Sequence, residues 1–460
     1  MTRRRAVRAS ARIACIASAV YLVGLAASCG SPGSTSSTSS GGAGGGGGAV
    51  APTCSEPSGK TFTQDDVSHA DPFASKGEYA SSLAVAPNGA VAIIMQGHPA
   101  PLPTRVGVRL SPDEGETWGP VLLPDVPEGF ASSDPRVAVD ADGNFSVVYR
   151  GVDLSNPSGQ PIFAARVGAG ATTLEAAVQI AGPGVDQDQA TSPAIAALAD
   201  GSTLVTYTGA NLGSLHAAVS KDAGKTWTTS VIVEGGGLYD MATPCQSTGG
   251  SRVYIAHLGG STAAPIAITL RHSDDGGSTW LADGSVSVTD AAAGAVAFAP
   301  PSCIVDGDDV WVSYGVTRDP VDFTFLTVQP ITAIQVARSS DGGKTFDVRH
   351  DAHDVAAGAV FLASSLVREE GGALDLTYIA GKGAGDTAAT VRRSRSTDGG
   401  KTWCGSVVVH APITFEPSLT HENSLSRRHG LAYRDGALYV SYPDNATEFS
   451  HVGFQRIGIP

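Results

Sequence analysis

One eight-residue pattern recurs five times along this 460-residue chain, and a repeat of that kind constrains the fold before any single element is assigned. Ser111-Pro-Asp113-Glu-Gly115-Glu-Thr117-Trp118 returns as Ser220-Lys-Asp222-Ala-Gly224-Lys-Thr226-Trp227 and as Ser273-Asp-Asp275-Gly-Gly277-Ser-Thr279-Trp280. It comes back as Ser339-Ser-Asp341-Gly-Gly343-Lys-Thr345-Phe346 and as Ser396-Thr-Asp398-Gly-Gly400-Lys-Thr402-Trp403. Ser and Asp side chains accept backbone N–H groups inside a tight turn, Gly supplies a positive φ, and Thr-Trp restarts a strand with β-favouring residues. Each copy therefore predicts a hairpin turn with an apolar anchor. A period of some fifty residues predicts one supersecondary unit per repeat, stacked on its neighbours to bury a shared core.

These turns resemble Asp-boxes, and the chain is similar over about 400 residues to the sialidase-type (BNR) β-propeller family. A second repeat lies between the boxes: an apolar strand, a short Asp/Asn/Gly turn and an alternating strand usually ending in Tyr, the pattern of a β-hairpin. It occurs at Leu83–Ile94, Val137–Tyr149, Ile195–Tyr207, Cys245–His257, Cys303–Tyr314, Leu366–Tyr378 and Leu431–Tyr442. Seven hairpins against five boxes leave two boxes to find. Val167 to Leu174 keeps the Thr and the apolar anchor of a box but has lost its Ser and Asp, and Ser55 to Phe62 keeps Ser, Gly, Thr and the aromatic. Val452 to Ile457 follows the last hairpin as a third strand, so the segment after Gly59 is expected to supply the fourth strand of that blade. Termini that share a blade close the ring and remove the open sheet edges. The expected fold is all-β, a seven-bladed propeller, with six blades as the alternative.

Residues 1–28 read as a secretory signal, with five arginines up to Arg12 ahead of the apolar stretch Ile13–Ala27. Leu25-Ala-Ala-Ser28-Cys29-Gly30 resembles a bacterial lipobox with Ala26 in the usual Leu place, which implies a lipid on Cys29; ordinary cleavage is the alternative. Residues 29–50 follow as a Gly/Ser-rich tether, and 51–460 as the propeller. The expected product is exported, either membrane-anchored through the lipid or secreted, and monomeric. A formal charge of −14 argues against nucleic-acid or anionic-membrane partners, whose phosphates are met by Lys and Arg.

Cys54, Cys245, Cys303 and Cys404 stay in the exported domain, where two bridges are expected and four free thiols are the alternative. In the propeller register Cys245 and Cys303 follow Pro244 and Pro301 by one and two residues on neighbouring innermost strands, with opposite parity, so they face each other across a blade interface. Cys54 and Cys404 fall near the outer strands of blades seven and six. The expected pairs are Cys245 with Cys303 and Cys54 with Cys404.

The box carboxylates Asp113, Asp222, Asp275, Asp341 and Asp398 read as structural turn formers, because the resemblance places boxes away from the ligand face. That face is built from loops entering the innermost strand and leaving the second. Its candidates are Tyr79, Asp134, Arg136, Tyr239, Asp240, Arg318, Asp319, Glu422, Arg427 and Arg428, with Arg150, Asp153 and Asp186 nearby. The resemblance implies three arginines on a substrate carboxylate, a Tyr nucleophile activated by a Glu, and an Asp acid/base. The family's opening Phe/Tyr-Arg-Ile-Pro is replaced here by Tyr79-Ala80-Ser81-Ser82, so the most diagnostic arginine is missing. No zinc-type His-Glu-x-x-His run, Cys pair at zinc spacing or Gly-x-Ser-x-Gly elbow occurs, and neither a metal nor a cofactor is expected. Three readings follow: recognition of a glycan or protein through the central face; an exo-α-sialidase or related glycosidase with rearranged arginines; and a non-catalytic assembly or stability factor.

Overall fold

The computed structural model describes residues 54, 61–64, 79–97, 103–156, 159–186, 189–235, 237–247, 252–261, 264–286, 295–297, 299–317, 331–346, 348–351, 359–381, 388–414, 429–444 and 451–459. The signal, Cys29, the tether and most of the Ser55–Phe62 box lie outside these residues. Seven antiparallel sheets form a seven-bladed β-propeller, not a six-bladed one. The innermost strands of blades one to seven are Tyr79–Val85, Phe130–Val139, Thr191–Ala197, Leu238–Pro244, Ser302–Asp306, Val360–Arg368 and Gly430–Arg434. A single 3-10 turn, Ala210–Leu212, is the helical content among the described residues.

Blade seven carries the predicted closure. Gly430–Arg434, Ala437–Asp444 and His451–Gly458 come from the C-terminal end, and Phe62–Gln64 from the N-terminal end adds the outer strand, antiparallel with Phe62 opposite Arg456. Cys54 pairs with Cys404 across 350 residues of sequence, with Cα atoms 4.9 Å apart, tying the incoming chain to blade six. The second bridge joins Cys245 to Cys303 with Cα atoms 4.7 Å apart.

Blade four departs from the sequence register. Its inner strand is Leu238–Pro244, ahead of Cys245 rather than beginning there. After Pro244 the chain crosses over, and Gln246–Ser247 pairs in parallel with Ile304 and Val305 of blade five. Cys245 sits at that crossing beside Cys303. The hairpin pattern misled because a strand lost to the neighbouring blade keeps the same residue types.

Seven apolar clusters fill the seven blade interfaces, one each. Second strands are therefore buried on both faces: Leu374–Gly381 and Ala437–Asp444 are buried throughout, where a one-sided sheet would alternate. Each Val, Leu, Ile or Phe side chain fully buried there stabilises the ring by ~1.5–3 kcal/mol. The box anchor enters the interface with the preceding blade. Trp118 meets Phe454 of blade seven edge-on with centroids 5.2 Å apart, and Trp280 and Trp403 pack on blades three and five. The fifth box residue must be Gly for two reasons. At Gly343, φ is +83°, and a Cβ would stand 2.0 Å from Leu270 of blade four.

All five complete boxes make the same four bonds, between 2.6 and 2.9 Å. The Ser hydroxyl donates to the Asp and accepts from the Gly N–H, while the Asp accepts from both the N–H and the hydroxyl of Thr. Thr thus closes the turn instead of opening the strand, which begins after the anchor. In blade two Leu174 still packs at the interface with blade one, although the ladder of side-chain bonds is gone. The box anchor survives the loss of the box.

Candidate functional site

Boxes and the turns joining first to second strands share one face of the ring. The Glu114 N–H of a box donates to Gly89 O of such a turn at 3.0 Å, and the Gly342 N–H to Asp308 O at 2.8 Å. The opposite face holds the starts of the innermost strands, and it is irregular. The inner strand is shifted in register near its start in blades one, two, three, four and six, each shift marking a bulge. In blades two, three and four the bulge holds a non-glycine residue in the left-handed region: Asp134 at φ 51°, Ser192 at 50° and Met241 at 54°. Each such residue costs ~1–3 kcal/mol, and strain repeated in three adjacent blades marks a built feature. It re-aims side chains at the mouth of the central channel.

Polar groups converge around these bulges. The Asp134 N–H donates to Gln96 Oε1 of blade one at 2.9 Å, and the Asp134 carboxylate pairs with Arg150 Nε at 3.2 Å. Arg150 also donates to Ser133 Oγ at 2.9 Å. At the interface of blades three and four, Asp240 is buried and accepts from Thr208 Oγ1 and from the Met241 N–H, both at 2.7 Å, with Ser192 as a third partner. Burial raises the Asp240 carboxyl above the usual carboxylate range, the Thr208, Met241 and Ser192 bonds oppose this, and the charge of Asp134 adds to the rise. On the other face of the same strand, Tyr207 donates to Asp186 in the blade two–three interface.

The inner strands enclose an axial channel of about 790 Å³, lined at this end by Ser82, Arg136, Thr243, Ser302, Ser365 and His429. His429 is buried, its Nε2 2.7 Å from Thr377 Oγ1, and burial lowers its ring to about 4, which leaves it neutral at pH 7. Of the sequence candidates, Asp134, Arg136 and Asp240 meet around this mouth. Tyr239 donates to Gly235 O at 2.8 Å and packs edge-on against His257, 6.0 Å away, at the blade three–four interface. Tyr79 opens the inner strand of blade one opposite Gln96. Arg318, Asp319, Glu422, Arg427 and Arg428 lie outside the described residues. Sequence reasoning missed Gln96, Ser192 and Thr208. Asp134-Pro135 and Ser192-Pro193, a polar residue before Pro at the same point of successive inner strands, were the available signal.

The five box carboxylates stand on the other face, bonded within their own turns. The Thr345 N–H and then the Ser339 and Thr345 hydroxyls hold Asp341 down at about 2. Asp222 and Asp275 are held at about 2 in the same way, led by the Thr226 hydroxyl and the Thr279 N–H. Among the described residues no cluster of His, Cys, Asp or Glu is arranged to hold a metal.

No family model and no curated protein matches the sequence. Among solved structures the chain resembles a PL25 ulvan lyase bound to a GlcA–Rha3S saccharide, with a TM-score of 0.52 and 10% identity over 88% of this chain and 94% of that one. It also resembles a Hadza microbial sialidase (TM-score 0.44, 14% identity, 82% of this chain) and the Trypanosoma rangeli sialidase (0.44, 12%, 83%). The matches span 65% and 55% of those two sialidases. At such identities the likeness is one of fold, and the fold shared is the β-propeller.

Proposed function

We propose that this protein is an exported, surface-tethered propeller that recognises a glycan through the face opposite its Asp-boxes. The observation that carries the reading is the run of strained bulges at Asp134, Ser192 and Met241, which turns polar groups of three adjacent blades toward one channel mouth. Carboxylates paired with guanidinium and hydroxyl groups suit the vicinal hydroxyls of a sugar, which donate and accept together. The ulvan lyase of similar fold carries a saccharide, which supports the class of ligand. Export rests on the signal-like N-terminus and two disulfides, and tethering on Cys29. Screening the purified protein on a glycan array tests the reading: binding lost in Asp134→Ala and kept in Asp341→Ala supports it, and absence of any glycan ligand refutes it.

One observation favours glycoside cleavage as a second reading. Asp240 is pushed toward its protonated form by burial beside Asp134, and two carboxyls with separated roles are what acid/base chemistry on a glycosidic bond requires. Reducing-end release from a bound oligosaccharide, abolished in Asp240→Asn, is the expected result under that reading.

A further inference from the structure

Among the described residues the one buried guanidinium is that of Arg393, and it lies in the seam between blades six and seven. Glu369 and Asp375 are buried beside it, with Arg395 at the edge, its side chain 17% exposed. Strand alternation puts these side chains on the face of blade six that carries Ile379 and Val391 against blade seven. Asp375 Oδ1 accepts from Arg393 Nε at 2.6 Å, and Glu369 Oε2 accepts from Arg395 Nη2 at 2.5 Å. The two carboxyls stand within hydrogen-bond reach of each other, and the oxygens left over, Asp375 Oδ2 and Glu369 Oε1, have no other hydrogen-bond partner among the described residues. One proton held between those oxygens satisfies both, whereas without it two acceptors face each other away from water. The cluster also touches the closing bridge: the Cys404 N–H donates to Arg395 O at 2.9 Å, and the Arg395 N–H donates to Cys404 Sγ at 3.1 Å. Arg368, next to Glu369, is paired with Asp306 of blade five on the opposite face. The titratable groups that blade seven brings to this seam are His429, Tyr433, Tyr442 and, by strand alternation, Asp444, while His410 of blade six stacks on Tyr442.

We propose that this seam is a proton-operated latch on ring closure: Glu369 and Asp375 hold one proton between them beside Arg393, and its loss loosens the contact with blade seven next to the Cys54–Cys404 bridge. Burial first, and the Glu369 carboxyl next, push Asp375 up to about 7 against the charge of Arg393. A carboxyl raised in this way contributes in full below its ordinary value of 3.8, and that contribution is lost as pH rises through about 7. His429 works in the opposite sense. Its ring, lowered by burial to about 4, contributes in full above its ordinary 6.5 and loses that contribution as pH falls toward 4. The carboxyl latch holds on the acid side of neutrality and slackens on the alkaline side.

Reduction of the full-length protein by a phosphine, with each bridge followed by mass spectrometry, tests the latch, and Cys245–Cys303 serves as a reference within the same molecule. Asp375→Asn keeps an acceptor for Arg393 and gives Glu369 a donor, so it fixes the protonated arrangement at every pH while leaving His429 in place. The rate for Cys54–Cys404 relative to the reference should rise from pH 6 to pH 8 in the wild type. Divided by the same quantity for Asp375→Asn, it should rise roughly 10-fold, the effect of one proton lost near pH 7. Should Asp375→Asn fail to fold, Glu369→Gln alters the other holder of the shared proton and is expected to give the same result. A wild-type rate ratio that stays level or falls over that range overturns the proposal without either variant. The same rise in wild type and variant also overturns it, since the two carboxyls would then serve packing alone.

Discussion

The two faces of the ring are built by opposite means. On the box face five turns repeat one set of bonds, every partner of the Asp lies within six residues, and the anchor drops into the interface behind it. On the channel-mouth face no contact set repeats among the described residues: Asp134 pairs with Arg150, whereas Ser192 and Thr208 serve Asp240. Repetition with locally satisfied polar groups is what a scaffold needs. Strained backbone whose side-chain partners differ from blade to blade, held in place by neighbours, is what a site needs.

The largest effect that breaks this comparison is expected beside the last box. The Cys54–Cys404 bridge closes a loop of 350 residues, so replacing both cysteines with Ser should cost up to ~6 kcal/mol on the chain-entropy model. Chemical denaturation measures it, and glycan affinity in the folded fraction should not change. At the channel mouth the signs reverse. Asp134→Gly relieves a left-handed φ of 51° and removes an ion pair whose side chains are 26% and 22% exposed, two effects of opposite sign, so stability should hold within ~1 kcal/mol, while affinity falls at least ~10-fold. A variant that lost stability and kept affinity would place Asp134 with the scaffold.

A smaller effect contrasts boxes with one another. The fourth box position is Gly in three boxes but Glu114 and Ala223 in the other two, at φ 60° and 61°. Ala223→Gly should therefore stabilise the fold by ~1 kcal/mol with no effect on binding, as read from the melting temperature. Glu114 has a compensating contact, an ion pair at 2.9 Å with Arg456 of blade seven, so Glu114→Gly should gain less. The smallest effect is in pH. Asp222, Asp275 and Asp341 sit at about 2 when folded against an ordinary value of 3.8, so their contribution is complete above pH 3.8 and is lost as pH falls toward 2. Asp341→Asn should lower the melting temperature near neutrality, where that contribution is complete, and flatten its fall over the acid window.

The scaffold was legible because its information is local. A box is eight residues whose bonds all stay inside it, so Ser339-x-Asp341-x-Gly343-x-Thr345 can be read as chemistry from the sequence, and counting copies yields blade number, closure and both disulfides. Even the decayed box at Val167 was recoverable, since Leu174 keeps the one role that reaches beyond the turn. The site was legible only in part. Asp134, Arg136 and Asp240 were named from their place in the loops, but Gln96 and Thr208 act across blade interfaces, 38 and 32 residues from their partners, and no short pattern announces such a contact. The left-handed bulges escaped for a different reason. A residue before Pro is biased toward extended backbone, so Asp134 and Ser192 occupy a conformation that local propensity argues against and tertiary packing enforces.

Hydrogen–deuterium exchange of the full-length protein with and without its best array ligand tests the division of faces most directly. Protection confined to the inner-strand starts at 130–136, 191–194 and 238–243, with exchange at the five box turns unchanged, is the result this account predicts. Protection centred on the box turns, with the bulges unaffected, would contradict it.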